Sequence, residues 1–475
     1  MKVLKNILLS VGGNDLQPAD IYFSGVIKEV LYRSEKIDWD DIADKEKKRK
    51  ILAKIPKETY PKTADVIDGK WSLAMPGAID AHVHFNTPGF EDREDFDHAS
   101  FAAAVGGVTT VIDMPCTSLP PVTNARNLRK KLNALKNRSY VDFAFWGGVR
   151  SEDIRGGIDV EKQIAALSDA GVVGFKVYVI SGMPEFSDLT YDEILNTAAM
   201  IKPTGKPMAV HAEDKTLVEN KRNRLRNAGN NSWQAYCEAR SVRAEAKAVG
   251  ELMKTAEATG ARIHIVHLSS HAGLKKIKLA QKNGFSVTTE TCPHYLYFTQ
   301  DNFNNDAIKN YLKTAPPVKF EKDKDALWKG LADRTISFVT TDHAGCNPRK
   351  EKTSENFWEV YGGIPGVEHR VPFLFSEGFK KGKLNLEQTV RLLSINAAEL
   401  YGLSSKGKIS PGYDADFALI NLWKEKTVKS RNMHSKGKFT PFENLIFSAV
   451  VEKTILRGNA LNKSRKSGKF ISANK

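Results

Sequence analysis

The first residues in this sequence that could do chemistry are two histidines, His82 and His84, directly after the apolar segment Leu73–Ile79. Side chains two positions apart on a β-strand point to the same side, so both imidazoles can bind one metal ion. A histidine pair alone is more often part of a surface or a core. Here the Pro88-Gly89 turn follows the pair, and a pair at the end of a strand predicts part of a metal site.

Lys176 is the second candidate, and it lies inside the apolar segment Val172–Ile180. An amine on the inner side of such a strand is costly while it is charged. A neutral amine can react with carbon dioxide to give a carbamate, whose anionic oxygens can bridge two cations. The alternative is a lysine at the strand end that reaches water with its ammonium group, and the segment alone does not decide between the two.

Three more candidates end apolar segments later in the chain. His211 and His267 can each bind metal, although a single strand-end histidine is more often structural. His264, three residues before His267, is expected to face the other way and to be structural. Asp342 is either a helix cap or a carboxylate that takes and returns a proton. Their order along the chain predicts two metal sites built from six strand-end side chains.

The segments that carry these residues alternate short β-branched runs with amphipathic helical patterns. About eight such units, without a Gly-rich phosphate-binding turn, predict an α/β fold with a (β/α)8 TIM-like barrel over residues 76–404. Residues 1–75 and 405–475 are expected to build one smaller β-sandwich domain together. Within it, the charged segment 35–63 has no assigned role, and the Lys-, Ser- and Gly-rich tail 463–475 is predicted to be disordered.

Composition and net charge limit the classes of protein to which this chain can belong. The chain has 475 residues, a formal net charge of +15 and 41% hydrophobic residues, which are ordinary values for a globular enzyme except for the charge. The basic segments 45–50 and 463–475 lie outside every motif and contain little aromatic interleaving, so nucleic acid is not an expected partner. Apolar runs are too short for a membrane helix, and the four cysteines form no framework, which predicts a reducing cytoplasm.

Several motifs together resemble the cyclic amidohydrolases, which comprise allantoinases, dihydroorotases and hydantoinases or dihydropyrimidinases. The resemblance covers nearly the whole chain. Its motifs are PGAIDAHVHFNTPG from Pro76, GFK at Gly174–Lys176, VHAED at Val210–Asp214, IVHLSS at Ile265–Ser270, ETCPHYL at Glu290–Leu296, TTDHAGC at Thr340–Cys346, GIPGVEHRVP at Gly363–Pro372 and GKISPGYDADFALI at Gly407–Ile420. The resemblance implies a metal-dependent hydrolase that opens a cyclic amide and forms a homodimer or homotetramer.

The resemblance also implies how two divalent metal ions are held. The implied metal-binding residues are His82, His84, Lys176, His211, His267 and Asp342. The first two histidines with Asp342 would hold the more buried ion, and the other two histidines the more exposed one. A carboxylated Lys176 and an attacking hydroxide would bridge the ions, and Asp342 would pass the proton to the leaving nitrogen. Zinc is expected, although manganese, cobalt and iron accept the same ligands. His294 and His343 would support the metal-binding residues from behind.

The identity of the ring depends on residues near these motifs. Dihydroorotases of similar pattern place an arginine where this chain has Asn86 and an asparagine where it has Cys116. Hydantoinases place a tyrosine where it has Ser181. These differences favour a small cyclic ureide, allantoin first, although Thr117 stands where allantoinases tend to have asparagine and GIPGVEHRVP looks closer to the other groups. The expected substrate-binding residues are Asn86, Cys116, Thr117, Ser118 and Ser181.

Two further alternatives stay open at this stage. Dihydroorotase and hydantoinase or dihydropyrimidinase activities remain possible for the same site. A non-catalytic scaffold homologue is a different class of protein, and it is disfavoured because all six metal-binding positions carry suitable residues.

Overall fold

The structure, a computed structural model, describes residues 1–473. Its strands follow in chain order. They are β1 (Lys2–Gly12), β2 (Asp15–Phe23), β3 (Ile27–Tyr32), β4 (Ile37–Asp38), β5 (Asp65–Pro76), β6 (Ala78–His84), β7 (Val108–Asp113), β8 (Asp142–Phe145), β9 (Gly147–Gly148), β10 (Phe175–Tyr178), β11 (Met208–His211), β12 (Ile263–Ile265), β13 (Val287–Thr291), β14 (Phe338–Val339), β15 (His343–Ala344), β16 (Phe417–Asn421), β17 (Lys426–Thr427), β18 (Ile446–Phe447), β19 (Val450–Leu456) and β20 (Asn459–Ala460).

Helices occupy most of the connections between the central strands. They are α1 (Trp39–Ile42), α2 (Lys45–Leu52), α3 (Phe96–Val105), α4 (Ala125–Ala134), α5 (Ser151–Arg155), α6 (Val160–Asp169), α7 (Tyr191–Ile201), α8 (Lys215–Asn227), α9 (Trp233–Ala239), α10 (Val242–Thr259), α11 (His271–Lys282), α12 (Pro293–Tyr297), α13 (Glu321–Ala332), α14 (Pro348–Glu351), α15 (Arg370–Phe373), α16 (Leu386–Val390) and α17 (Asn396–Leu400). None of the helices in residues 1–473 is both long and apolar enough to cross a membrane.

The central strands are parallel and pair in chain order. One sheet runs from β9 through β10, β11, β12 and β13 to β14, and a second runs from β15 through β6 and β7 to β8. Trp146 alone separates β8 from β9, and residues 340–342 separate β14 from β15. The pairing therefore passes through eight strand positions and returns to β6, which is the order of a (β/α)8 barrel.

Burial explains why these segments form the barrel. Every residue of β6 and of β7 is buried, as expected for parallel strands that are covered by helices on one side and by the barrel interior on the other. The helices carry clear start signals. The predicted helix at Tyr191–Ile201 is α7, which begins with a capping box between Thr190 and Glu193.

Both ends of the chain contribute to one eight-stranded sheet, in the order β20-β19-β16-β5-β1-β2-β3, with β4 paired to β2. Two strands, β5 and β1, lie between β16 and β2 in this order, so three strand spacings would separate them by about 14 Å in a flat sheet. The rings of Phe23 and Phe417 nevertheless lie 5.5 Å apart. The sheet is therefore strongly curled, and its two halves face each other around a shared apolar core, as in the predicted sandwich.

The charged segment 35–63 packs on the rest of the molecule through an aromatic cluster and through the pairing of β4 with β2. Trp39 at the start of α1 lies 5.4 Å from the ring of Trp423 and 5.1 Å from that of Phe379. The indole of Trp423 donates a hydrogen bond to the carbonyl of Ile42 at 2.7 Å. The segment is thus a short helical addition, fixed to the barrel and to the terminal sheet.

The tail was predicted to be disordered, but the structure shows it docked on the barrel as far as Ala473. The backbone of Phe143 donates to the carbonyl of Lys469 at 3.0 Å, and Ile471 donates to the carbonyl of Phe143 at 2.8 Å. The ring of Phe470 stacks on Phe145 with 5.6 Å between centroids. Composition suggested disorder, but apolar residues among the lysines dock beside β8. Residues 474–475 of the predicted segment lie outside the described residues.

Candidate active site

One cavity of about 480 Å³ opens at the carboxyl ends of the central strands. Five of the six predicted metal-binding residues line it. They are His82, His84, His211, His267 and Asp342. Parallel strands present their carboxyl ends at the same face of the barrel, so residues far apart in the sequence meet there.

Asp342 joins the two histidines of β6. One of its carboxylate oxygens, Oδ1, lies 3.1 Å from Nε2 of His82 and 3.1 Å from Nε2 of His84. These three ligand atoms lie within 4.8 Å of one another. Burial alone would raise the pKa of Asp342, but the neighbouring imidazole of His82 holds it well below its usual range. The group combines one anionic oxygen with two nitrogens, which suits a divalent transition metal.

His211 and His267 form the second group. Nδ1 of His211 lies 3.0 Å from Nε2 of His267, while tetrahedral zinc ligands lie about 3.3 Å apart. Burial lowers the pKa of both imidazoles, which favours the neutral form that binds metal. Nδ1 of His267 is buried without a hydrogen-bond partner in the described structure.

Lys176 on β10 lies between these groups and away from water. Its side chain is fully buried, and no group among residues 1–473 accepts a hydrogen bond from Nζ. Burial lowers the pKa of this amine to about 8. A buried amine without an acceptor is unusual, and its position fits a group that is modified or that faces a bound cation.

The backbone is strained at three residues of this site. Asn86, His267 and Asp342 adopt φ values of +58°, +39° and +48°. Residues other than glycine rarely occupy this left-handed region, and such strain is concentrated at functional sites. Each of these residues follows a central strand, and the strained turn redirects the chain at the rim of the cavity.

Glu290 on β13 is a functional residue that the sequence reasoning missed. Its Oε1 lies 2.5 Å from Nδ1 of His82, and its Oε2 lies 3.2 Å from Nε2 of His264. Burial alone would raise the pKa of Glu290, but His82 keeps it well below its usual range. The carboxylate fixes the tautomer of His82 and leaves Nε2 free to face Asp342. The signal was present as the first residue of ETCPHYL at the end of a buried strand.

Glu213 plays the corresponding part for His211. Its Oε2 lies 2.9 Å from Nε2 of that imidazole, and Arg240 forms an ion pair with the same carboxylate. Burial raises and Arg240 lowers the pKa of Glu213, which comes to about 2. Its position two residues after His211 in VHAED was the available signal.

Tyr178 is the third missed residue, and it lines the cavity. Its ring stacks on His211 with 5.5 Å between centroids. It lies two positions after Lys176 on β10, so the periodicity that joined His82 and His84 also places Tyr178 on the side of Lys176. Hydantoinases place their tyrosine at the position of Ser181, three residues further along this chain.

The predicted substrate-binding residues divide into two groups. Asn86 and Thr117 line the cavity, and Nδ2 of Asn86 is buried without a partner in the described chain. Cys116 lies just below the floor, whereas Ser118 donates to the carbonyl of Pro115 at 3.4 Å behind the wall. Ser181 accepts a hydrogen bond from the backbone of Met183 at 3.1 Å. Neither serine lines the cavity, although Ile180 and Gly182 on either side of Ser181 do.

His294 and His343 lie behind the cavity wall. Burial lowers the pKa of His294 to about 4, and Nε2 of this residue has no partner within residues 1–473. Nε2 of His343 lies 3.3 Å from Oε2 of Glu94. Nδ1 of His343 accepts a hydrogen bond from the backbone N–H of Val367 at 3.2 Å. His343 therefore anchors the turn that carries Asp342.

The residues present fit a pair of divalent cations. The donor set consists of four imidazoles and one carboxylate, and Glu290 and Glu213 hold two of the imidazoles in defined tautomers. The amine of Lys176 and Nδ1 of His267 are buried without partners in the part of the chain that is described. A bound cation or a carbamate would account for these features.

Comparison with known proteins gives the same family. The amidohydrolase family matches residues 73–461. The chain is 35% identical to an allantoinase from Rubrobacter xylanophilus over 401 residues, covering 83% of this chain and 85% of the relative. It is 35% identical to an allantoinase from Streptomyces avermitilis, covering 87% and 89%. An L-hydantoinase (dihydropyrimidinase) structure from Arthrobacter aurescens superposes with a TM-score of 0.86 at 27% identity and covers 99% of both chains.

These similarities confirm the predicted fold class, a TIM-barrel amidohydrolase fold. They also confirm the predicted class of enzyme, so the scaffold alternative is not supported. The chain belongs to the metal-dependent amidohydrolase family and is a hydrolase that acts on cyclic amides.

Proposed function

We propose that this enzyme opens the ring of a small cyclic ureide, with allantoin as the first candidate and allantoate as its product. The observation that carries the proposal is the convergence of His82, His84, His211, His267 and Asp342 on one cavity above the buried Lys176. The polar residue at the rim supports the choice of ring. Asn86 offers an unpartnered amide nitrogen, which can donate to a ring carbonyl but cannot neutralise a carboxylate.

The proposed metal-binding residues divide between two ions. His82, His84 and Asp342 would hold one divalent cation, and His211 with His267 would hold the other. Carboxylated Lys176 would contact both. When bound, the cations supply Lewis acidity towards the amide carbonyl and lower the pKa of water towards neutrality. Zinc fits the nitrogen and oxygen donors best, and the donor set also accepts manganese, cobalt and iron.

The protein side chains have separate tasks in the reaction. Water adds across the ring amide, so that a C–O bond forms and the C–N bond breaks. Asp342 takes the proton of the attacking water and delivers it to the leaving nitrogen, which requires a carboxylate near both atoms. Asn86 orients the ring, and the hydroxyl of Tyr178 donates to the carbonyl oxygen as negative charge develops there.

A hydantoin without the ureido arm of allantoin is the second candidate. The observation that favours it is the likeness to the L-hydantoinase structure. Dihydroorotate is less favoured, because Asn86 stands where the resembling dihydroorotases place an arginine.

The test compares initial rates of the metal-loaded protein on allantoin, dihydroorotate, hydantoin and dihydrouracil, with metal content measured on the same samples. We expect the highest kcat/KM on allantoin. Preference for hydantoin would move the activity to the second candidate. Preference for dihydroorotate would show that a residue other than Asn86 binds the carboxylate, and no turnover of any of the four by protein with two bound metals would contradict the proposed substrate class.

We also propose a reducing cytoplasm as the location, because all four cysteines are free and buried. A homodimer or homotetramer is proposed from the resemblance to oligomeric relatives. Light scattering of the purified protein at two concentrations tests the oligomeric state, and a mass equal to one chain would contradict it.

A further inference from the structure

One face of α8 overhangs the cavity. Val218, Arg222 and Arg226 all line it, and their spacing of four residues places them along one side of the helix. The two guanidinium groups are therefore directed to the cavity from the same side. Like charges four residues apart repel each other in an isolated helix. The pair of arginines on this face therefore does not stabilise α8.

The partners of the cations on α8 differ between its two sides. Lys221 and Arg224 point away from the cavity and both contact Glu238 on α9. Arg222 reaches Glu219 of its own helix at 3.6 Å and donates from Nε to Oδ1 of Asn223 at 3.4 Å. Arg226 is exposed, and its guanidinium has neither a hydrogen bond nor an ion pair with any described residue. On the cavity side of α8, the guanidinium of Arg226 is therefore free, and that of Arg222 has only long contacts within its own helix.

Three other cations line the cavity, but they are occupied. Arg93 pairs with Glu351 at 2.7 Å, and Arg240 pairs with Glu213. The Nζ of Lys313 donates to three backbone carbonyls, which use all of its protons. Each of these three groups is bonded to an acceptor within the protein, which distinguishes them from the guanidinium of Arg226. Asp342 supplies the one carboxylate among the described lining residues, so the outer cavity favours an anion.

The cavity contains both this positive region and the metal-binding residues. The same cavity of about 480 Å³ includes His82 at the inner end and Arg226 on α8. A volume of this order accommodates a ligand larger than a single five-membered ring. A substrate whose ring lies beside Asn86 can therefore extend a substituent towards α8.

We propose that Arg222 and Arg226 form an anion-binding subsite for a carboxylate carried on a side chain of the substrate ring. Arginine binds carboxylates through paired N–H donors, which gives orientation as well as affinity. The inference rests on the proposed function for the ring, and it extends the substrate class beyond the neutral allantoin to ring ureides with an acidic substituent.

The test uses two ring substrates of the same shape, hydantoin-5-acetic acid and hydantoin-5-acetamide, with the metal-loaded enzyme. We expect the acid to have the higher kcat/KM, mainly through a lower KM. In Arg226→Gln and Arg222→Gln, the ratio of kcat/KM for acid over amide should fall about tenfold, as for the loss of one charge-assisted contact. The control Arg224→Gln removes a cation from the opposite side of α8 and should keep the wild-type ratio.

Two kinetic results would overturn the subsite. The first is equal use of acid and amide by the wild-type enzyme. The second is a fall in both rates in Arg226→Gln with an unchanged ratio, which would indicate a structural role for the helix.

Binding measurements separate failure of the proposed function from failure of the subsite. If the enzyme hydrolyses neither compound, calorimetry on the same metal-loaded protein still compares the acid, the amide and inorganic phosphate. Tighter binding of the acid that is lost in Arg226→Gln and weakened by salt supports the subsite. Equal binding of acid and amide overturns it. Phosphate that binds at Arg226 as tightly as the acid also overturns it, because a free anion would then be the ligand.

Discussion

The hydroxyl oxygen of Tyr178 lies 3.0 Å from the sulfur of Cys116 at the floor of the cavity. The thiol is fully buried, while the tyrosine ring lines the cavity. A thiol that donates its proton to the phenol oxygen leaves the phenol O–H free to point towards a substrate. We therefore expect Cys116, which was predicted to bind substrate, to act through Tyr178 instead.

The first prediction concerns this phenol. Tyr178→Phe should lower kcat about 100-fold, because one preformed donor to a developing oxyanion contributes on this scale. Metal content should not change, since the phenol is not among the proposed ligands. Steady-state kinetics and metal analysis of the variant test both points. Tyr140→Phe, which alters a phenol bonded to the carbonyl of Lys463, is the matched control, and equal rates for the two variants would contradict the role of Tyr178.

The thiol can be tested separately. Cys116→Ser keeps a donor beneath the phenol and should retain more activity than Cys116→Ala, which removes it. The reverse order of kcat values would show that the thiol does not orient Tyr178.

Lys176→Ala should bind less metal and lose nearly all activity. The reason is the position of Nζ, which is buried without a partner in the described structure and suits a carbamate that contacts both ions. Metal analysis after dialysis measures the first effect and turnover the second. The exposed Lys162 on α6 provides the control Lys162→Ala. A Lys176→Ala variant with two bound metals and full activity would refute the bridging carbamate.

Asp342→Asn should reduce kcat by about 10²–10⁴-fold, the range for a positioned proton-transfer group. The substitution keeps the shape of the side chain that lies 3.1 Å from both His82 and His84, but it removes the basic carboxylate. The pH profile distinguishes this loss from a loss of metal. A variant that turns over at the wild-type rate would exclude Asp342 as the proton carrier.

Glu290→Gln should weaken metal binding about 10–100-fold, the usual effect of removing a carboxylate that orients a metal-binding histidine. An amide cannot stabilise the tautomer of His82 in the same way, although the fold retains a polar group between His82 and His264. Competition with a chelator measures the affinity. The exposed Glu257 on α10 gives the control Glu257→Gln, and unchanged affinity in both variants would show that Glu290 has no part in the site.

Spacing and strand ends made much of the candidate site predictable from sequence. His82 and His84 share a side because a strand has a period of two, and His211, His267 and Asp342 meet because parallel strands end at one face. Ser181 does not itself line the cavity, whereas its neighbours Ile180 and Gly182 do. Strand β10 ends at Tyr178, and the backbone of Ser181 already bonds to Asp188 in the following loop.

Residues that act through others were harder to identify. Glu290 and Glu213 were visible in their motifs, but their pairing with His82 and His211 depends on side-chain geometry across neighbouring strands. A single sequence does not contain these cross-strand distances.

The tail is the clearest case in which composition failed, and it gives the last prediction. Its lysines and serines suggested disorder, but Phe470 stacks on Phe145 with 5.6 Å between centroids, and the flanking backbone pairs with Phe143. Because the ring is half-buried, Phe470→Ala should lower the free energy of unfolding by roughly 2 kcal/mol, less than for a fully buried phenylalanine. Urea unfolding measures this loss. Lys469→Ala, which removes an exposed side chain from the next residue, should change stability by less than about 0.5 kcal/mol, and equal stability of both variants would mean that the tail does not contribute to the fold.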